Sequence, residues 1–129
     1  MVELYVDQLM SRPVATTTAA TPIHDAAEEM IRNDVGAIVV VDDGRFEGLL
    51  TATDFVLLAR KQTAPTETTV AELMRTDVVT TERHKPVRDV VDSMLEHLIH
   101  HVPVVDGEEV VGMVTTLDLT AHLGQSLEP

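Results

Sequence analysis

Two spacings of apolar residues alternate along the chain. Ile23, Ala26, Ala27, Met30 and Ile31 recur at intervals of three and four, as do Val87, Val90, Val91, Met94 and Leu95, and each set predicts an amphipathic helix. Pro22 and Pro86 stand at the expected first helical positions, where a missing N–H is harmless, and Thr21 is a candidate cap for the first helix. A β-rich run follows each helix, over residues 37–41 and 101–105, and each ends in an Asp-Gly hairpin signal, Asp43-Gly44 and Asp106-Gly107. Return strands are expected over residues 46–50 and 109–114. Thr51-Ala-Thr-Asp54 and Thr115-Thr-Leu-Asp118 then read as helix starts, with helices running on through residues 55–59 and 119–123. Thr16 and Thr80 fall in short first strands ahead of the two series.

The series is one pattern written twice. A shift of 64 residues lays the chain on itself without a gap. Val6-x-x-Leu9-Met10 falls on Val70-x-x-Leu73-Met74, Val14-x-Thr16-Thr17 on Val78-x-Thr80-Thr81, and Pro22-x-x-Asp25 on Pro86-x-x-Asp89. Val40-Val41-Asp42 falls on Val104-Val105-Asp106, and Gly48-x-x-Thr51-x-x-Asp54 on Gly112-x-x-Thr115-x-x-Asp118. A unit of about 60 residues with no covalent staple is marginal alone. The expected fold is therefore mixed α/β, with tandem β-α-β-β-α repeats packed by pseudo-twofold symmetry over one shared core. Residues 1–62 form the first repeat, 63–69 a polar connector and 70–129 the second, together one integrated module.

Composition narrows the function. The 129 residues are 44% hydrophobic but only 2% aromatic, so the core is built from Val, Leu, Ile, Ala and Met. No apolar run reaches the 18 residues or so of a membrane span, and the N-terminus lacks the basic and apolar stretches of a signal peptide. A cytoplasmic location is the default. Without cysteine there is no disulfide framework, thiol nucleophile or thiolate metal site. Twenty-two acidic residues face nine basic ones, for a net charge of −13, which opposes binding to nucleic acid or to an anionic membrane. Only Lys61 and Lys85 are lysines and threonine is abundant, which suggests a high-salt, halophilic cytoplasm where screening tames self-repulsion.

The ordered set of Leu-Met, Val-x-Thr, Pro-x-x-Asp, Val-Val-Asp and Gly-x-x-Thr-x-x-Asp, repeated at constant spacing, resembles the CBS domain family. The whole chain resembles one CBS pair, or Bateman module. The resemblance implies a regulatory module, not an enzyme, with no obligatory cofactor. It implies an adenine-containing ligand (AMP, ADP, ATP, S-adenosylmethionine, sometimes NAD) held in clefts between the repeats. It also implies a homodimer. With no effector domain attached, the regulated protein is expected in trans.

The same resemblance assigns candidate ligand-binding residues. Asp54 and Asp118 take the ribose, since a carboxylate accepts from both hydroxyls of a cis-diol; the plainer reading is that each caps its helix. Thr51 and Thr115, with free helix N–H groups, offer a phosphate cradle, or simply cap. Thr16 and Thr80 line the adenine end. The hairpin entries add Ala37 and Ile38 in one repeat and His100, His101, Val102 and Pro103 in the other; Val39 stands where the second repeat has Pro103. His100 and His101 are side-chain donors that Gly36 and Ala37 cannot match, so the two clefts are expected to be unequal. Arg75, Arg83, His84, Lys85 and Arg88 form a basic cluster, read as a solvated loop balancing Glu72, Asp77, Glu82 and Asp89 rather than a phosphate wall. His97, His100 and His101 straddle a helix end and a strand, a poor metal geometry, and no nucleophile triad, zinc signature or Walker loop supports catalysis. The alternative to ligand sensing is a ligand-free dimerisation scaffold, and a small enzyme is the third reading.

Overall fold

The computed structural model describes residues 3–62 and 64–127. Thr63, at the head of the expected connector, and Met1, Val2, Glu128 and Pro129, at the outer ends of the expected repeats, lie outside the described residues. The described residues form a mixed α/β structure of five strands and five α-helices. It packs as two compact units. Ala15–Val78 forms one, and the chain up to Val14 joins the chain from Val79 onward in the other. Each unit therefore takes the Leu-Met segment that opens the other repeat.

The first unit contains β1 (Thr16–Thr17), α1 (Ile23–Asn33), β2 (Ala37–Asp42), β3 (Arg45–Thr51), α2 (Ala52–Lys61) and α3 (Val70–Leu73). The apolar stripe of α1 buries Ile23, Ala26 and Met30, but Ile31 at its edge is 80% exposed. The helix begins one residue later than expected. Pro22 is its N-cap, with an extended ψ of 143°, and its carbonyl accepts from the Asp25 and Ala26 N–H groups. Thr21 therefore lies too early to cap, and its hydroxyl pairs instead with Thr18 Oγ1 at 2.9 Å. Pro86 is likewise the N-cap of its own helix. β2 pairs antiparallel with β3 across Asp43-Gly44, both at positive φ as a type I′ turn requires, and parallel with β1. Ile38, Val40 and Leu50 meet Ile23, Ala26, Met30, Leu58 and Val70 in the core, with Leu73 and Met74 packed against it.

The second unit opens with a 3-10 turn, Val6–Gln8, and continues with α4 (Val87–His97), β4 (His101–Asp106), β5 (Glu109–Thr115) and α5 (Thr116–Ser126). Val6 and Met10 join Val90, Met94, Val102, Val104 and Val114 in its core. In the β4–β5 hairpin Asp106 pairs with Glu109, so the turn centres on Gly107-Glu108 and only Gly107 has positive φ. The first strand expected around Thr80 shrinks to one parallel bridge, Thr81 to Val104. The cause is Pro103. In the first unit the Val39 N–H donates to the Ala15 carbonyl at 3.0 Å, a rung that a proline at the equivalent place cannot supply.

Candidate functional site

The repeated Gly-x-x-Thr-x-x-Asp motif is built the same way in both units. In the first, the Arg75 and Leu49 backbones exchange two hydrogen bonds of 2.9 Å, which lays the chain after Met74 along β3. This brings the backbone so close that a Cβ on Gly48 would lie 2.6 Å from the Arg75 carbonyl oxygen. In the second, Ser11 and Met113 exchange bonds of 2.8 and 3.0 Å, and a Cβ on Gly112 would lie 2.5 Å from Met10 Sδ. The glycine thus admits the incoming segment, and the residue after Leu-Met reaches the motif aspartate.

Each aspartate also belongs to its helix cap. At α2 the Thr51 N–H and hydroxyl donate to Asp54 Oδ2 at 2.8 and 3.3 Å. At α5 the Thr115 N–H donates to Asp118 Oδ2 at 2.9 Å, while the Asp118 N–H donates to Thr115 Oγ1 at 3.1 Å, a reciprocal capping box. The second carboxylate oxygen is what differs. Asp54 Oδ1 accepts from Arg75 Nε at 3.0 Å, and Asp118 Oδ1 accepts from the Ser11 hydroxyl at 2.7 Å. The Asp54 side chain is 3% exposed and Arg75 54%, whereas Asp118 is half-buried beneath an exposed Ser11.

The phosphate cradle is less open than expected. The first helix N–H of α2, on Ala52, is already held by the Gly36 carbonyl at 3.1 Å, and that of α5, on Thr116, by the His100 carbonyl at 3.0 Å. Thr51 and Thr115 themselves are half-buried at the strand ends, paired in register with Ala37 and His101. Ala37, Ile38, Val102 and Pro103 are buried, with Ile38 and Val102 in the two cores, so these positions offer a ligand little beyond backbone. Thr16 and His100 are exposed and His101 is half-buried. Burial lowers the His101 pKa below its usual 6.5, His100 lowers it further, and Asp118 opposes both. His101, Thr115, Asp118 and Ser11 thus form one polar cluster in the second unit.

Thr80 and Thr81 line a cavity of about 220 Å³ with Lys85, Asp89, Ser93 and Val102. Of the basic cluster, Arg83 pairs with Asp106 at 3.5 Å, His84 with Glu82 at 3.3 Å, and Arg75 with Asp54, so of these three partners only Glu82 is among the acids expected to balance it. Among the described residues, no three His, Asp or Glu side chains come together as a metal site, and no helix is long and apolar enough to cross a membrane.

The family model for the CBS domain matches residues 6–61 and 70–124. The chain belongs to the CBS domain family. The CBS domain-containing protein YhcV of Bacillus subtilis is 34% identical over 91% of this chain and 84% of its own length. L-Aspartate semialdehyde sulfurtransferase of Methanocaldococcus jannaschii is 31% identical over 92% of this chain, which spans 23% of that enzyme. Among solved structures, the CBS domain pair of protein MJ0100, in complex with 5′-methylthioadenosine and S-adenosyl-L-methionine, superposes with a TM-score of 0.89 at 29% identity, covering 98% of this chain and all of that one.

Sequence reasoning on this CBS pair missed the partners of the two motif aspartates. Arg75 entered only as part of a basic cluster, and Ser11 not at all. The signal was present: both follow a Leu-Met pair, and the 64-residue shift lays one on the other.

Proposed function

We propose that this CBS pair is a cytoplasmic regulatory module. It binds an adenosyl ligand, an adenine nucleotide or S-adenosylmethionine, and passes the occupancy on to a partner protein in trans. The observation that carries this reading is Asp118. Its carboxylate is half-buried and held in place by the cap, and its Oδ1 meets only an exposed serine hydroxyl among the described side chains. A ribose hydroxyl replaces that serine as donor without leaving the carboxylate unpaired. Neutral His101 and Thr115 stand beside it, and Thr80 and Val102 border a cavity that suits a base better than a whole nucleotide. The adenosyl ligands of the MJ0100 pair support the same ligand class.

A titration in molar KCl with AMP, ADP, ATP, S-adenosylmethionine and NAD tests the reading. One of them is expected to bind with a micromolar Kd, and Asp118→Ala, checked for folding by its melting curve, weakens it by about 5–150-fold, the loss of a charged acceptor. Unchanged affinity in that variant removes Asp118 from the site.

A second reading, a ligand-free homodimeric scaffold, draws on Ile31 and Leu95. They occupy equivalent places on α1 and α4 and are 80% and 71% exposed. Their equivalent exposure in the two repeats gives a scaffold two matching points at which copies could meet. Binding of none of the five compounds, with a dimer mass by light scattering, favours this reading.

A further inference from the structure

Arg75 and Ser11 hold equivalent places in the repeat, are pinned by equivalent backbone bonds, and touch the same oxygen of the motif aspartate. Their chemistry is not equivalent. At Asp54 every contact is internal: Thr51 supplies two donors to Oδ2 and the guanidinium supplies one to Oδ1, on a side chain 3% exposed. A ribose diol reaches this carboxylate only by displacing Arg75. That exchanges a cationic donor for a neutral one and separates an ion pair whose acidic half is buried. At Asp118 the diol displaces a serine hydroxyl, one neutral donor for another, and the freed serine is exposed and turns to water.

We propose that Arg75 is a built-in occupant of Asp54 that closes this aspartate to ribose, so that the protein binds one adenosyl ligand, at Asp118. This rests on the ribose-binding reading above. The residue that distinguishes the two repeats is then a side chain outside the motif, delivered to it by the preceding Leu-Met segment.

The test counts equivalents. The full chain is titrated calorimetrically with AMP and, separately, with S-adenosylmethionine. The native protein is expected to bind one equivalent of whichever compound binds. Arg75→Ser, which copies the Ser11 arrangement, is expected to bind two, and the second is lost again in the Arg75→Ser/Asp54→Asn double variant. The reciprocal Ser11→Arg closes Asp118 and raises the Kd of the native equivalent at least tenfold, a readout that does not depend on Arg75→Ser folding. Two equivalents in the native protein, a folded Arg75→Ser that still binds one, or a Ser11→Arg that binds as before each overturns the closure while leaving the adenosyl reading intact. No binding of AMP or S-adenosylmethionine, nor of the other three compounds titrated above, by any of the proteins overturns the adenosyl reading and the closure with it.

Discussion

The two units place the same motif on the same backbone and finish it with different chemistry. Gly48 and Gly112 both make room for a crossing segment, Thr51 and Thr115 both cap a helix, and Asp54 and Asp118 both return one oxygen to that cap. The difference lies in what the segment carries. Met74-Arg75 brings a backbone carbonyl against Gly48 and a cation onto Asp54, while Met10-Ser11 brings a flexible thioether against Gly112 and a neutral hydroxyl onto Asp118. A duplicated fold thus keeps the architecture of its motif, and the two motif aspartates become unequal through the one side chain that each crossing segment delivers. The largest test of this is steric. Gly48→Ala sets its Cβ 2.6 Å from a carbonyl that two hydrogen bonds hold in place. Gly112→Ala meets only the Met10 side chain, whose rotatable bonds let it yield. Urea denaturation is expected to show a loss of about 3 kcal/mol for Gly48→Ala and about 1 kcal/mol for Gly112→Ala, the two ends of the overpacking range. Equal losses would mean that the crossing segments are held alike.

The second contrast is electrostatic. Arg75→Ala leaves a buried carboxylate with Oδ1 unpaired, and the expected loss is about 2 kcal/mol, below the value for a fully buried pair because half of Arg75 was already in water. Ser11→Ala removes one neutral donor from a half-buried carboxylate that water then reaches, with a loss of about 0.5 kcal/mol. The same urea series at neutral pH measures both. A reversed order would show that Asp118, not Asp54, is the aspartate whose partner matters for stability.

Much of this was legible in the chain. Helical spacing located α1 and α4, Asp43-Gly44 located a I′ hairpin, and the shift of 64 residues exposed the duplication, because these signals are local or periodic. Other features depend on what lies opposite. Ile31 follows the apolar spacing of α1 yet is exposed, since the periodicity says which face is apolar and not how wide a stripe its neighbours cover. Pro103 looked like one substitution in a hairpin entry, but its cost falls on another segment, the strand near Thr81 that loses a rung. The allocation of each Leu-Met segment to the unit of the other repeat has no local signature. The aspartates read as cap residues or ligand acceptors, and the structure places both in their helix caps; which side chain meets their second oxygen required the crossing segments to be placed.

The smallest contrast concerns protons. His101 and Ala37 hold equivalent places beside Thr115 and Thr51, so the cluster around Asp118 contains a titratable ring that its counterpart lacks. Burial lowers the His101 pKa in the folded protein below 6.5, with His100 acting in the same direction and Asp118 against it. The unfolded chain, with the higher pKa, then binds the proton more readily. As pH falls through 6.5 toward the folded value, protonation favours unfolding; above 6.5 the ring is neutral in both states and the penalty vanishes. The melting temperature is therefore expected to fall on acidification across this window, on top of any change the carboxylates cause. Subtracting the profile of His101→Gln isolates the imidazole, because the glutamine keeps a polar side chain without a proton to gain. A difference profile that is flat through the window would place His101 in a wetter setting than its burial suggests. A difference of opposite sign, with the native protein gaining on acidification, would mean that attraction to Asp118 outweighs desolvation, and that the second unit is the one tuned to hold a cation beside its open carboxylate.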